Sequence, residues 1–178
     1  MQGFRFAICI LLLGAVSPAG ETPLVVTPFG ISTLKIGMTI RQAERALGHK
    51  LAVDYTASDS EACGQASTAL MDRQGYSIMV QDRIITRIDV GETDPGKQAS
   101  PIITAEGVGI GSSETAVRKA YGKRLKVEPH PYLDDQGHYL IVDEPGHKRG
   151  IIFETDLKQV TSFRAGLYPA VGYIEGCS

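Results

Sequence analysis

The stretch Ile36-Gly37-Met38-Thr39-Ile40-Arg41-Gln42-Ala43-Glu44-Arg45-Ala46-Leu47-Gly48 returns 74 positions later as Ile110-Gly111-Ser112-Ser113-Glu114-Thr115-Ala116-Val117-Arg118-Lys119-Ala120-Tyr121-Gly122. Both copies carry the marks of one short helix. Thr39 and Ser113 are N-cap residues, whose hydroxyls accept from the orphan N–H groups of a first turn. Gln42 completes a capping box in the first copy, while Glu114 complements the helix dipole in the second. Ala43, Ala46 and Leu47, matched by Val117, Ala120 and Tyr121, fall at helical spacing. Gly48 and Gly122 are expected to stop the helices in the left-handed conformation. Arg41, Arg45, Arg118 and Lys119 belong to the solvated face.

Strand-like material follows each helix. In the first half it lies near Ser67–Met71, Tyr76–Val80 and Arg83–Val90, separated by turns at Asp72-Arg73-Gln74-Gly75 and Gln81-Asp82. In the second half it lies near Tyr139–Asp143, Gly150–Thr155 and Lys158–Gly166, with a turn at Pro145-Gly146. The final strands match at an offset of 75: Ile85, Ile88 and Gly91 against Val160, Phe163 and Gly166. One residue of drift is what a single loop insertion gives. The expected fold class is therefore α+β: two tandem repeats, each a short helix followed by an antiparallel β-meander, forming a continuous or concave sheet with helices on one face. The repeats are placed at 20–98 and 99–178, the second ending in a tail.

Alternation assigns the faces. Tyr76, Ile78 and Val80 with Thr86, Ile88 and Val90, and Ile151, Phe153 and Thr155 with Thr161, Phe163 and Ala165, should cover the helices. The opposite face then carries Ser77, Met79, Arg87 and Asp89 in one half, and Ile152, Glu154, Ser162 and Arg164 in the other. An antiparallel sheet meets solvent or a partner on such a face.

The first residues speak of export. One basic residue, Arg5, precedes an apolar run from Phe6 to Val16, the length of a signal-peptide core and too short to span a bilayer. Ser17-Pro18-Ala19 supplies small residues for cleavage after Ala19, which makes 1–19 a signal peptide. The remainder carries 17 Lys/Arg against 20 Asp/Glu, with no basic block, so nucleic acid is not an expected partner. No later apolar stretch is long enough for membrane insertion. Cys9 sits inside the apolar run and leaves with it. The two cysteines that remain, Cys63 and Cys177, read as a disulfide in an exported protein. It would close a loop of over a hundred residues and fasten the tail to the first half, worth roughly 4–5 kcal/mol in the chain-entropy model.

Catalytic and metal patterns are missing from the sequence. His130, His138 and His147 lie near Asp134, Asp135, Asp143 and Glu144, but their spacing fits no ligand pattern, and they read as surface-loop histidines. Asp134-Asp135-Gln136-Gly137 lacks the alternate oxygens and closing glutamate of a calcium loop. There is no nucleophile elbow, and Gly107-Val108-Gly109-Ile110-Gly111 lacks dinucleotide spacing. Asp54, Asp59 and Glu61 form a polar cluster beside Cys63 with nothing to fix a separation. No catalytic residue, metal or cofactor is expected.

The Gly37-Met38-Thr39 turn, the helix closing on Leu47-Gly48 and the following meander, all occurring twice, resemble the tandem fold of the β-lactamase-inhibitor protein family. The outer-membrane assembly lipoproteins of the SmpA/OmlA type carry one related unit. The resemblance covers most of residues 29–166. This chain departs from it at Ser112-Ser113, in placing one cysteine in each half, and at Phe29–Lys35, which reads as extended chain where the family has a helix. Inhibitors of that kind bind a partner protein across the open sheet face. The resemblance thus implies Met79, Arg87, Asp89, Glu154 and Arg164 as partner contacts. It implies a periplasmic or secreted protein-binding module, an inhibitor or immunity-like protein that occludes a hydrolase. A soluble adaptor in envelope assembly is the second expectation. A small-ligand or glycan binder using Tyr132, Tyr139, Tyr168 and Tyr173 is the third.

Overall fold

A computed structural model describes residues 23–55, 62–91 and 100–177. The expected signal peptide at 1–19, Asp59, Glu61 and the expected boundary between 98 and 99 lie outside the described residues. In chain order the elements are β1 (Val25–Thr27), β2 (Gly30–Ile31), β3 (Leu34–Lys35), α1 (Ile40–Leu47), β4 (Ala52–Asp54), β5 (Cys63–Ser67), α2 (Ala69–Gln74), β6 (Tyr76–Gln81) and β7 (Ile84–Val90). They continue with β8 (Ile103–Thr104), α3 (Glu114–Tyr121), β9 (Leu125–His130), β10 (Asp134–Asp143), β11 (Arg149–Thr155) and β12 (Val160–Leu167). The class is α+β and mainly strand. Among the described residues no helix is long and apolar enough to cross a membrane.

One sheet has eight antiparallel strands in the order β4-β5-β6-β7-β12-β11-β10-β9. Its two halves meet at a seam where β12 pairs β7, with Phe163 opposite Val90, Arg164 opposite Asp89, Ala165 opposite Ile88 and Gly166 opposite Arg87. Gly166 permits this approach, because a Cβ there would collide with the Thr86 carbonyl oxygen. A second, smaller sheet, β3-β2-β1-β8, was not anticipated. Its β2–β3 hairpin is the extended chain expected at Phe29–Lys35, and its β1 pairs β8 in parallel, joining the start of the chain to the second half.

Corresponding local geometry recurs in both halves. Thr39 accepts from the Gln42 N–H at 3.3 Å, and the Gln42 side chain accepts from the Thr39 N–H at 2.8 Å, completing the capping box. Ser113 accepts from the Ala116 N–H at 3.2 Å. Gly37 N–H donates to Ile85 O at 2.8 Å, and Gly111 N–H donates to Val160 O at 2.9 Å. The β6–β7 register shifts between Met79 and Val80, and the β11–β12 register shifts between Glu154 and Thr155. Each shift is a bulge at a threonine: Thr86 donates to Met79 O at 3.4 Å, and Thr161 donates to Glu154 O at 3.2 Å.

Those bulges correct the face assignment at two positions. Strict alternation put Thr86 and Thr161 toward the helices, but the extra residue in each strand turns Ile85 and Val160 inward instead. The rest of the inward set holds. Ile78, Val80, Ile88 and Val90 share one core with Ile151, Phe153, Phe163 and Ala165. Ala43 of α1, Met71 of α2, and Val117 and Tyr121 of α3 belong to that same core.

Other expectations are corrected. Ser67–Met71 is not a strand: Thr68 caps α2 by accepting from Met71 N–H at 3.2 Å, and Gly75 ends it in the left-handed conformation. The segment read as a turn is the second half of that helix. Gly48 stops α1 as expected, whereas Gly122 has φ 53 and ψ −125, and leads into a 3₁₀ turn over Gly122–Arg124. The strands β4, β5 and β9 were not read from the sequence, and β10 begins five residues before the expected Tyr139.

Candidate functional site

Two side chains point away from the main core and meet the tail instead. Met79 of β6 packs with Ala170 and Cys177, and Ile152 of β11 packs with Tyr139, Ile141 and Val171. The tail runs from Tyr168 through a 3₁₀ turn at Ala170–Gly172 to Cys177, which is bonded to Cys63 at the start of β5. The bridge spans a sequence separation of 114, with the Cα atoms 5.5 Å apart. A strap thus lies across the open face, anchored on apolar clusters of both halves and on one covalent bond.

Two arginines hold the strap from below. Arg87 Nη1 donates to the carbonyls of Ala170 at 2.8 Å and Tyr173 at 2.9 Å. Arg164 Nε donates to Val171 O at 2.7 Å. Ala170 O already accepts from the Tyr173 N–H at 3.2 Å within the 3₁₀ turn, so Arg87 is its second donor, and each guanidinium matches the partial negative charge of the carbonyls it meets. Both arginines are buried, at 4% and 5% exposure, so each needs a counter-charge. Arg87 Nε stands 2.8 Å from Asp89 Oδ1, an ion contact without hydrogen-bond alignment. Gln65 Nε2 donates to Asp89 Oδ2 at 3.4 Å. Arg164 Nη1 donates to Glu154 Oε1, and its guanidinium lies 5.0 Å over the Tyr139 ring. Arg164 Nη2 is buried without a hydrogen-bond partner.

The five residues expected as contacts therefore converge on one face in two different situations. Met79, Arg87 and Arg164 lie under the strap. Asp89 and Glu154 keep about a quarter of their side-chain surface open, at 25% and 22%. They line a cleft of about 410 Å³ with Asp72, Ser77, Ser162 and Ile174. Two further clefts flank the strap. One, of about 460 Å³, is bordered by Glu128, Tyr139, Asp143 and Tyr168. The other, of about 610 Å³, is bordered by Tyr132, Tyr173, Ile174 and Cys177.

The histidine expectation needs amendment. His147 is exposed in its turn, but His130 ends β9 as a buried side chain, 3.5 Å from Glu154 and edge-on to Tyr139. His138 in β10 contacts Glu114 at 2.8 Å. Burial pushes the Glu114 carboxyl up, but hydrogen bonds from Thr155 and His138 outweigh it and hold the group below its ordinary range. Thr155 donates to Glu114 rather than to the imidazole, so these three side chains clamp the N-terminus of α3 to the sheet and form no nucleophile–base pair. Among the described residues no group of three or more His, Cys, Asp or Glu is placed to hold a metal.

Sequence reasoning missed Gln65 and His130 as parts of this face; it expected the tail to be fastened through Cys63 and Cys177 but not to lie across the open sheet. The signal for the strap was Cys177 alone, because Ala170-Val171-Gly172 has no periodicity. The chain matches no family model, no curated protein and no solved structure, and what bears on its function is a strapped, internally neutralised sheet face bordered by three clefts.

Proposed function

We propose that this chain is an exported protein-binding module, periplasmic or secreted, acting by steric occlusion in the manner of an inhibitor or immunity-like protein. One observation carries the reading. The open face is braced by a disulfide, two guanidinium–carbonyl clamps and two apolar clusters. Such bracing lowers the ordering cost of an association, which is how a binding surface gains affinity. The signal peptide, the tandem-repeat reading with helices on one face, and the resemblance to the β-lactamase-inhibitor family all support it. In this reading Met79, Arg87 and Arg164 hold the strap, while Asp89 and Glu154 reach the partner directly.

The test is affinity capture from native envelope and culture-supernatant fractions, with the oxidised exported chain as bait. A single stoichiometric hydrolase, lost when Asp89 and Glu154 are replaced by alanine, supports the inhibitor reading. Recovery of membrane-assembly components favours the adaptor. No specific partner from either fraction sinks the protein-binding reading. Melting-temperature shifts with sugars then take up the ligand-binding alternative.

A further inference from the structure

Ile174 borders all three clefts around the strap. It is 44% exposed, and two exposed tyrosines, Tyr132 and Tyr173, stand with it along the third cleft. Tyr132 donates its hydroxyl to Glu175, which ties the ring to the strap. Exposed apolar side chains grouped beside clefts are the usual centre of an interaction surface, and a fixed tyrosine loses little conformational freedom on binding.

The charge around this centre is acidic in balance: three carboxylates face two arginines at the first cleft, and two carboxylates face one lysine at the second. Asp72, Asp89 and Glu154 border one cleft and Glu128 borders another. Of the cations bordering those clefts, Arg87 and Arg164 are buried and turned to the strap carbonyls. Lys126 and His147 are the exposed basic groups, both in the second cleft. A partner therefore meets an apolar ridge with carboxylates on its flanks.

We infer that the strap ridge, centred on Ile174 with Tyr132 and Tyr173, is the docking surface, and that its occupant is a protein whose contact patch has an apolar centre bordered by lysine or arginine. This rests on the protein-binding reading above. It moves the contact from the bare sheet to the strap lying on it. The charge arrangement steers association, and the ridge determines how long the complex lasts.

The experiment uses the full oxidised chain and the protein it captures, purified and titrated by surface plasmon resonance. Ile174→Glu should weaken binding by about thirtyfold or more, mainly through dissociation. The pair Asp72→Lys and Glu128→Lys, both on exposed residues, should slow association by about tenfold at low salt and much less at high salt. Leu157→Glu, at 45% exposure in the β11–β12 turn, is the control and should change neither rate. A partner held equally well by all variants overturns this inference while leaving a protein-binding function in place. Absence of any specific partner overturns both. If the captured protein is a second copy of this chain, shown by sedimentation, the basic-partner assignment fails.

Discussion

The two halves of the large sheet meet the strap differently. On the first half, β4 to β7, the strap is held by a disulfide and by Met79, with Arg87 below. On the second half, β9 to β12, it rests on Tyr139, Ile141 and Ile152 through Val171, with Arg164 below. The edges differ as well. The β4 edge is three residues long, whereas β9 has six, with Lys126 and Glu128 exposed and Pro129 unable to donate. Both are known ways to discourage edge-to-edge pairing, one by brevity and one by charge and proline. The first half thus relies on a covalent fastening where the second relies on packing.

Cutting that fastening should have the largest effect. Cys177→Ser is expected to lower stability by about 4 kcal/mol, since the bridge closes a long loop. Urea unfolding measures the loss, and hydrogen exchange should show residues near Cys177 deprotected more than those near Val171. Equal deprotection along the strap would mean that packing on the second half holds nothing alone.

Next come the two clamps. Arg164→Met and Arg87→Met should each cost about 2–3 kcal/mol, less than breaking a fully buried pair because Glu154 and Asp89 reach water. Arg164 should be the costlier, since its loss also removes the contact with the Tyr139 ring. A reversed order in urea unfolding would place the main grip on the first half.

The helix caps offer a finer comparison. Thr39→Ala and Ser113→Ala should each cost about 1 kcal/mol by thermal unfolding. Thr39 should cost more, because only its cap is reciprocated, by Gln42.

The smallest effect is confined to acid. The Glu114 carboxyl is held below its ordinary value of 4.5 in the folded state. Its contribution is therefore complete above that value and is lost as pH falls through the lower folded one. Glu114→Gln should flatten stability against pH in that window. An identical acid limb in the variant would show that the clamp on α3 carries no pH dependence.

What could be read in advance was local. The Thr39–Gln42 box, the Ser113 cap and the outward placement of Met79, Arg87, Asp89, Glu154 and Arg164 follow from spacings of three, four and two. The misreadings have physical reasons. In α2 only Met71 is buried, so six residues gave no amphipathic stripe. In β9 the alternation of Leu125 and Val127 with Lys126 and Glu128 ends at Pro129, which argues against an interior strand. The bulges at Thr86 and Thr161 are single extra residues, invisible to a period of two. Burial of the two arginines depends on carbonyls of residues far along the chain or without pattern, and composition does not encode such contacts.

The seam carries a kinetic consequence. Every ladder of the large sheet joins strands adjacent in the chain except β7–β12. Most of the sheet can therefore zip from neighbouring hairpins, paying little for loop closure at each step. The seam must bring Val90 to Phe163, and only when it closes do Arg87 and Arg164 come together beneath the strap. Loop-closure entropy should make that pairing slower than closure of the hairpins. A substitution that weakens the seam, such as Gly166→Ala, should delay formation of the site more than formation of the hairpins.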